Sequence, residues 1–406
     1  MSIHTQSGAR VRRRATAASL LIGLLVLAMP TAAMAQPPEM PSGEMSAEDR
    51  AAIDAVAQTM LESDDGIPAV YIGIWDPARG AYTAAYGMAD REAGHPASVA
   101  DTFRIGSISK TFTAAVILQL IDEGLVALGD TVADADPDLA GRFPALADLT
   151  IEQLLSMQSG IPDYMNVADG AVGPTVEDPT TVWDPDELIA FGVAGDVQPP
   201  GTGGYSTTNY IALQEIAETL TGQPLADLIE TRLTEPLGMS ATVLPPNDDT
   251  TLPEPSAHGY IGPSCISEIE ESGGSVPVWT DTTTWNASYG QGGGGMYSTV
   301  ADLGRWAASL SGSSTLSDDL AAQRLEPRYV LDPIDSYGLG IIKTGPIFGH
   351  SGEALGWEGW AAHDPDTGFS LVLFTNTCGD SGAILPAIIQ LYAPLGEYVS
   401  SLSDAS

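Results

Sequence analysis

Strand-like runs occur only at the two ends of this chain, and a long helical, loop-rich stretch separates them. Near the start, Val70 to Trp75 and Tyr82 to Tyr86 are rich in β-branched and aromatic residues, with Asp76-Pro77-Ala78-Arg79-Gly80 as the turn between them. Near the end, Tyr337–Ile342, Ile347–His350, Glu358–His363 and Phe369–Thr375 carry the same signature. Strands so far apart are expected to meet in one mainly antiparallel sheet drawn from both termini, with the intervening helices as a second lobe. The fold class expected is therefore α+β.

The helical signals are clear. Ser46 can cap a helix running to about Leu61, in which Ile53, Val56, Met60 and Leu61 mark one face. A long apolar helix is expected from Ser107 to about Glu123, stopped by Gly124. Further helices are expected over Ile151–Met157, Pro185–Phe191, Asn209–Leu220, Leu225–Leu233, Thr299–Leu310 and Ile384–Tyr392. The glycine run at 292–295 marks a turn or a close backbone approach.

The N-terminus reads as a processing signal. Arg10, Arg12, Arg13 and Arg14 precede an apolar stretch centred on 20–27, and Ala33-Met34-Ala35 has the small-x-small cleavage pattern. The expectation is a signal peptide over 1–35, a Pro-rich linker over 36–45, a domain over 46–395 with its helical lobe at about 107–285, and a C-terminal tail over 396–406. Such a chain would be secreted or periplasmic, with no stable membrane anchor after cleavage. Acidic residues number 53 against 15 lysines and arginines, and removal of residues 1–35 would take the net charge from −38 to −42. That balance argues against nucleic acid and anionic membranes as partners. The two cysteines, Cys265 and Cys378, are either a disulfide or two thiols; a bridge would contribute roughly 4 to 5 kcal/mol in the chain-entropy model. The five histidines are scattered without metal-ligand spacing, so no metal and no cofactor is expected.

Only two lysines occur, and Lys110 follows Ser107 by three positions in Gly106-Ser107-Ile108-Ser109-Lys110. Residues three apart share a helix face. Burial lowers a lysine pKa far enough for it to take a serine proton, which arginine cannot do. Downstream, Gly204-Tyr205-Ser206-Thr207-Thr208-Asn209 runs from a turn into a helix. Tyr205 is placed to relay a proton if a nearby cation lowers its pKa. Gly349-His350-Ser351-Gly352-Glu353 then lies where a strand is expected.

With these three motifs in order the chain resembles the serine β-lactamase and DD-peptidase superfamily, in the branch of class C β-lactamases, D-alanyl-D-alanine carboxypeptidases and related esterases. The motifs of that superfamily are Ser-x-x-Lys, Tyr-x-Asn and a Lys/His-x-Gly triplet. The resemblance covers about residues 48–395, with Leu154 to Pro162 and Tyr337-Gly338-Leu339-Gly340 similar to the family's flanks. It implies the two-lobed β-lactamase/transpeptidase-like fold. It also implies Ser107 as nucleophile and Lys110 and Tyr205 as the groups that manage its proton. The triplet would line the cleft as an edge strand.

Two triplets compete. The literal Lys343-Thr344-Gly345 is followed by Pro346, which has no N–H for an oxyanion hole, whereas His350-Ser351-Gly352 is followed by Glu353, which has one. His350, Ser351, Gly352 and Glu353 are therefore the expected substrate-binding residues. Thr207 joins them in the place of the family's asparagine, where a hydroxyl makes fewer hydrogen bonds and reaches less far than an amide. The resemblance implies an acyl-enzyme hydrolase acting on D-alanyl-D-alanine stem peptides or related cell-wall amides, with β-lactams or simple esters as alternatives. A relative that binds peptidoglycan or a partner without turnover is the alternative of another class.

Overall fold

The run Ala69–Asp76 (β1) is apolar along almost its whole length, and it is buried to the same extent. Such a strand belongs in the middle of a covered sheet. The structure, a computed structural model, describes Met1 and residues 37–405 apart from 64–65, 168–169, 313 and 379–381. The signal peptide expected over 1–35 falls outside the described residues, Met1 apart. The elements of the fold all belong to the compact unit Ala33–Ser406.

β1 pairs antiparallel with Gly80–Asp90 (β2) on one side, which in turn pairs with His95–Pro96 (β3). A two-residue strand, Phe103–Arg104 (β4), pairs apart from this sheet with Tyr297–Ser298 (β5). The C-terminal strands are Tyr329–Val330 (β6), Asp335–Tyr337 (β7), Ile342–Thr344 (β8), Ile347–Ala354 (β9), Trp357–His363 (β10) and Ser370–Thr375 (β11). The nine-stranded sheet has the order β3-β2-β1-β11-β10-β9-β8-β7-β6. The two termini thus meet at β1 and β11, where Val70 lies opposite Thr375 and Trp75 opposite Ser370. This is a large antiparallel sheet flanked by helices, as the resemblance implies.

Helix Ala47–Leu61 (α1) packs on β1 and β2, with Ser46 as its N-cap. Helix Ser109–Asp122 (α2) is buried nearly all round, as befits a helix apolar on every face. It packs against helix Thr208–Thr221 (α3) in the helical lobe. It is tied to the sheet side through helix Val300–Ser309 (α4): Phe112 stacks on Trp306 with ring centroids 3.9 Å apart, and Trp306 Nε1 donates to Thr111 Oγ1 at 2.7 Å. Burying two such rings contributes about 1.5–3 kcal/mol each. Gly304 lets α4 sit directly on Trp75, because a Cβ there would lie 2.3 Å from the indole. Helices Ile384–Leu391 (α5) and Ala393–Ala405 (α6) close the chain. No described helix is long and apolar enough to cross a membrane.

Several local expectations are corrected. The strand expected over Tyr337–Ile342 is two strands, β7 and β8. The chain breaks at Gly338–Gly340, where Gly340 takes a φ of +70° and a Cβ would meet Ala114 of α2 at 2.1 Å. The helix expected over Leu225–Leu233 is α-helical only through Ile229 and continues as a π-turn, Glu230–Thr234. The glycine run forms a short helix, Gln291–Gly294. The end of the linker is tied to the sheet, with Ala81 N donating to Gly43 O at 2.6 Å and Met45 buried. The tail from 396 lies within α6, and Gly345 packs on the ring of its Tyr398. Cys265 and Cys378 are joined in a disulfide.

Candidate active site

Ser107 sits in a short 3₁₀ turn, Gly106–Ile108, that leads into α2, rather than in the α-helix itself. Gly106 makes the approach possible. Its φ is +49°, and a Cβ would lie 2.2 Å from the carbonyl oxygen and 2.5 Å from the nitrogen of Glu353. Gly352 answers from β9, where a Cβ would stand 2.1 Å from the carbonyl oxygen of Ile105. Two glycines thus let the turn bearing Ser107 press against the end of β9 with backbone facing backbone.

One turn on, Lys110 is fully buried. Its Nζ donates to Ser107 Oγ at 2.9 Å and to the carbonyl of Gly293 at 2.8 Å. The ammonium also lies over the rings of Tyr205 and Tyr210, 4.9 Å and 5.7 Å from their centroids. Burial pushes the Lys110 pKa down to about 7, against a smaller opposing pull from Asp163. The amine is therefore available in both protonation states near neutral pH.

The hydroxyl of Tyr205 shares a hydrogen bond with Ser107. The condition set for such a relay, a pKa lowered by a nearby cation, is not met: loss of solvent outweighs that hydrogen bond, and the pKa is held well above the usual tyrosine value. The group is a phenol at neutral pH, so any relay through it must give one proton and take one back.

His350 is also corrected. It is fully buried, with Nε2 3.0 Å from Tyr337 Oη and Nδ1 2.5 Å from the carbonyl oxygen of Ser351. Burial first, and then the Lys110 charge, push its pKa down to about 3, so it is neutral, donates from Nδ1 to the carbonyl and accepts from the tyrosine. Its ring stands behind Tyr205, 6.0 Å between centroids. It supports the site from beneath and does not present itself to a ligand. β8 covers β9 only over Ile347–Gly349, so the strand is interior at its start and His350-Ser351-Gly352 run on past the end of β8. The edge-strand expectation holds for the triplet and fails for the strand as a whole.

A cavity of about 550 Å³ opens over Ser107. Tyr205, Thr207, Asp163, Met165, Glu353 and the Cys265–Cys378 disulfide are among its walls. The competing triplet lies elsewhere. Lys343 reaches over the ring of Phe348, 5.4 Å from its centroid, in a separate cavity with Asp332, Asp335 and Tyr398. Asn209 does not replace the missing asparagine, because its amide is engaged by Ser159 Oγ at 2.7 Å and by the sulfur of Met157.

Two residues escape a reading of the sequence. Asp163 follows directly on the Ser159-Gly160-Ile161-Pro162 flank and points back to Thr207, whose Oγ1 donates to Asp163 Oδ2 at 3.1 Å. Gly293 is visible only as part of a glycine run; nothing local says that its carbonyl would meet Lys110. Asp163 does carry a signal, as a lone acid at the end of a family-like segment.

The family model described as beta-lactamase matches residues 50–393. The chain belongs to the β-lactamase family. Among relatives, penicillin-binding protein 4 of Amycolatopsis lactamdurans is 28% identical over 316 residues, covering 72% of this chain and 76% of that one. A D-aminopeptidase of Cereibacter sphaeroides is 28% identical over 324 residues, covering 77% of this chain but only 57% of that longer protein. Among solved structures, a D-stereospecific amidohydrolase from Streptomyces sp. superposes with a TM-score of 0.72 at 28% identity, covering 84% of this chain and 98% of that one. This β-lactamase-family chain thus shares its fold and family with serine hydrolases of peptides and amides.

Proposed function

We propose that this chain is an exported serine hydrolase that forms an acyl-enzyme on Ser107 and cleaves D-alanyl-D-alanine peptides or related cell-wall amides. The observation that carries the reading is the buried Lys110 amine, 2.9 Å from Ser107 Oγ with a pKa of about 7. Neutral Lys110 takes the Ser107 proton as Oγ bonds to the carbonyl carbon. The oxyanion is held by the backbone N–H groups of Ser107 and Glu353, which belong to the two segments that Gly106 and Gly352 let approach each other. Tyr205 passes a proton to the departing nitrogen and takes one back from Lys110; water then gives a proton to neutral Lys110 as it attacks the Ser107 ester, and that proton returns to Ser107 Oγ as the acid leaves. The basic, apolar and small-x-small succession over 1–35 supports export.

A second reading of the substrate comes from the cavity walls. Asp163, Glu271 and Glu353 line them, and among the described residues no arginine or lysine does. A substrate ending in a carboxylate finds no fixed cation among those residues. A neutral ester, or an amide bearing a free amine like those the name D-aminopeptidase implies for its relative, suits these walls better. A binding module without turnover would have no use for the Ser107, Lys110 and Tyr205 arrangement.

The test is covalent. The mature protein is incubated with a fluorescent penicillin and with p-nitrophenyl butyrate, and adducts are mapped by mass spectrometry. An adduct on Ser107, absent from Ser107→Ala, is expected; no adduct together with no ester turnover would overturn the enzyme reading.

A further inference from the structure

The chain departs from the Tyr-x-Asn pattern at Thr207, and a carboxylate stands beside the departure. Asp163 is only 7% exposed, at the cavity wall that it shares with Ser107, Tyr205 and Thr207. Both of its oxygens are held: Oδ2 accepts from Thr207 Oγ1 at 3.1 Å, and Oδ1 accepts from the Met165 N–H at 3.0 Å. The backbone N–H of Thr207 reaches it as well. A carboxylate buried this deeply is costly unless something nearby uses its charge. Lys110 is that neighbour. The hydrogen bonds of Lys110 go to Ser107 and Gly293, so Asp163 acts on it through space.

We infer that Asp163 is a positioning residue of the reaction, which with Thr207 occupies the place of the missing asparagine and sets a negative charge against the buried ammonium of Lys110. The inference rests on the reading of Ser107 as nucleophile and Lys110 as its base.

An asparagine at this place would give hydrogen bonds without a net charge; Asp163 with Thr207 gives both. The groups facing Lys110 are the Ser107 hydroxyl, the Gly293 carbonyl, the rings of Tyr205 and Tyr210, and His350. The tyrosines are protonated and His350 is neutral at physiological pH. Asp163 is thus the charge that opposes the burial of Lys110. Burial raises the pKa of Asp163 in its turn, and the Lys110 charge works against that rise by favouring the ionised form. Around Asp163 itself stand Thr207, Met165, Tyr164 and Tyr205. Glu353, across the cavity, bears on Tyr205.

The test is the rate at which a fluorophosphonate labels Ser107 from about pH 5 to about pH 9, which needs no knowledge of the substrate. In that step Oγ bonds to phosphorus, fluoride leaves and the serine proton goes to Lys110. Removing the charge in Asp163→Asn leaves the Lys110 ammonium less stabilised, so the amine stays neutral to lower pH. The acid limb is expected to move down by about one pH unit. Thr207→Val is expected to slow labelling about tenfold or more across the range, and Thr207→Ser to restore it. Thermal melts accompany each variant, and if Asp163→Asn does not fold, the Thr207 pair decides. An acid limb that stays in place or moves up in folded Asp163→Asn, or a Thr207→Val that labels like the wild type, overturns the inference while leaving Ser107 and Lys110 intact. No labelling of the wild type at any pH overturns both.

Discussion

Lys110 Nζ donates to the carbonyl oxygen of Gly293 at 2.8 Å, across a sequence separation of 183 residues. That contact joins the helix behind Ser107 to the short glycine helix opposite it, and it aims the amine at Ser107 Oγ. The absence of a side chain at Gly293 matters too, since a Cβ there would stand 2.6 Å from Thr207 Cγ2. Gly293→Ala is therefore expected to push the two apart, costing on the order of 1–3 kcal/mol of stability. Turnover should fall by more than the lost stability explains, because reacting groups displaced by a fraction of an ångström lose rate steeply. Urea unfolding alongside steady-state rates separates the two effects.

The proton inventory gives a pH dependence with a definite sign. As the proposed base, Lys110 acts when neutral, and burial brings its pKa down to about 7. Acylation is expected to be full above that value and to fall toward tenfold per pH unit well below it. His350 has its pKa near 3 and does not shape this limb. A pH profile of kcat/KM that stays flat down to about pH 5 would exclude Lys110 as the base.

The oxyanion assignment separates two prolines. Glu353→Pro removes a backbone N–H at the end of β9 next to Gly106, and a loss of about 3 kcal/mol in transition-state stabilisation, roughly a hundredfold in kcat, is expected. Glu353→Ala keeps the N–H and should keep most of the rate. Pro346→Ala, in the turn between β8 and β9, should leave turnover unchanged. The reverse ranking in steady-state kinetics would transfer the role to Lys343-Thr344-Gly345.

The disulfide is both staple and wall. Cys265 and Cys378, 113 residues apart, close a loop whose cross-link stabilises by about 4 to 5 kcal/mol in the chain-entropy model. Both also line the cavity over Ser107. Replacing the pair by alanines is expected to lower Tm and, in the protein that remains folded, to raise KM more than it lowers kcat. Calorimetry and steady-state kinetics on the double variant check both.

Much of the site is legible in the sequence because it is built from local patterns. Ser107 and Lys110 share a face by helical spacing alone, and Pro346 disqualifies the literal Lys-Thr-Gly by its chemistry alone. Other features depart from expectation because burial decides them. A relay through Tyr205 is tied in the sequence to a nearby cation lowering its pKa, and desolvation raises it instead. His350 is expected at the cleft, and it lies behind Tyr205 with both nitrogens engaged. The strand expected from Tyr337 to Ile342 is interrupted because Gly340 must fit against Ala114, a constraint set by α2 and invisible in the strand's own residues.

By itself the sequence determined most of the longer elements, the α+β plan with strands from both ends, and the order Ser-x-x-Lys, Tyr, His-Ser-Gly, since propensity, periodicity and turn chemistry act over a few neighbouring residues. The tertiary structure alone decided which groups share the dry space around Lys110. Desolvation and Coulomb interactions depend on distance through space, and the residues that set them there, Asp163, Gly293, Tyr205 and His350, come from four separated parts of the chain.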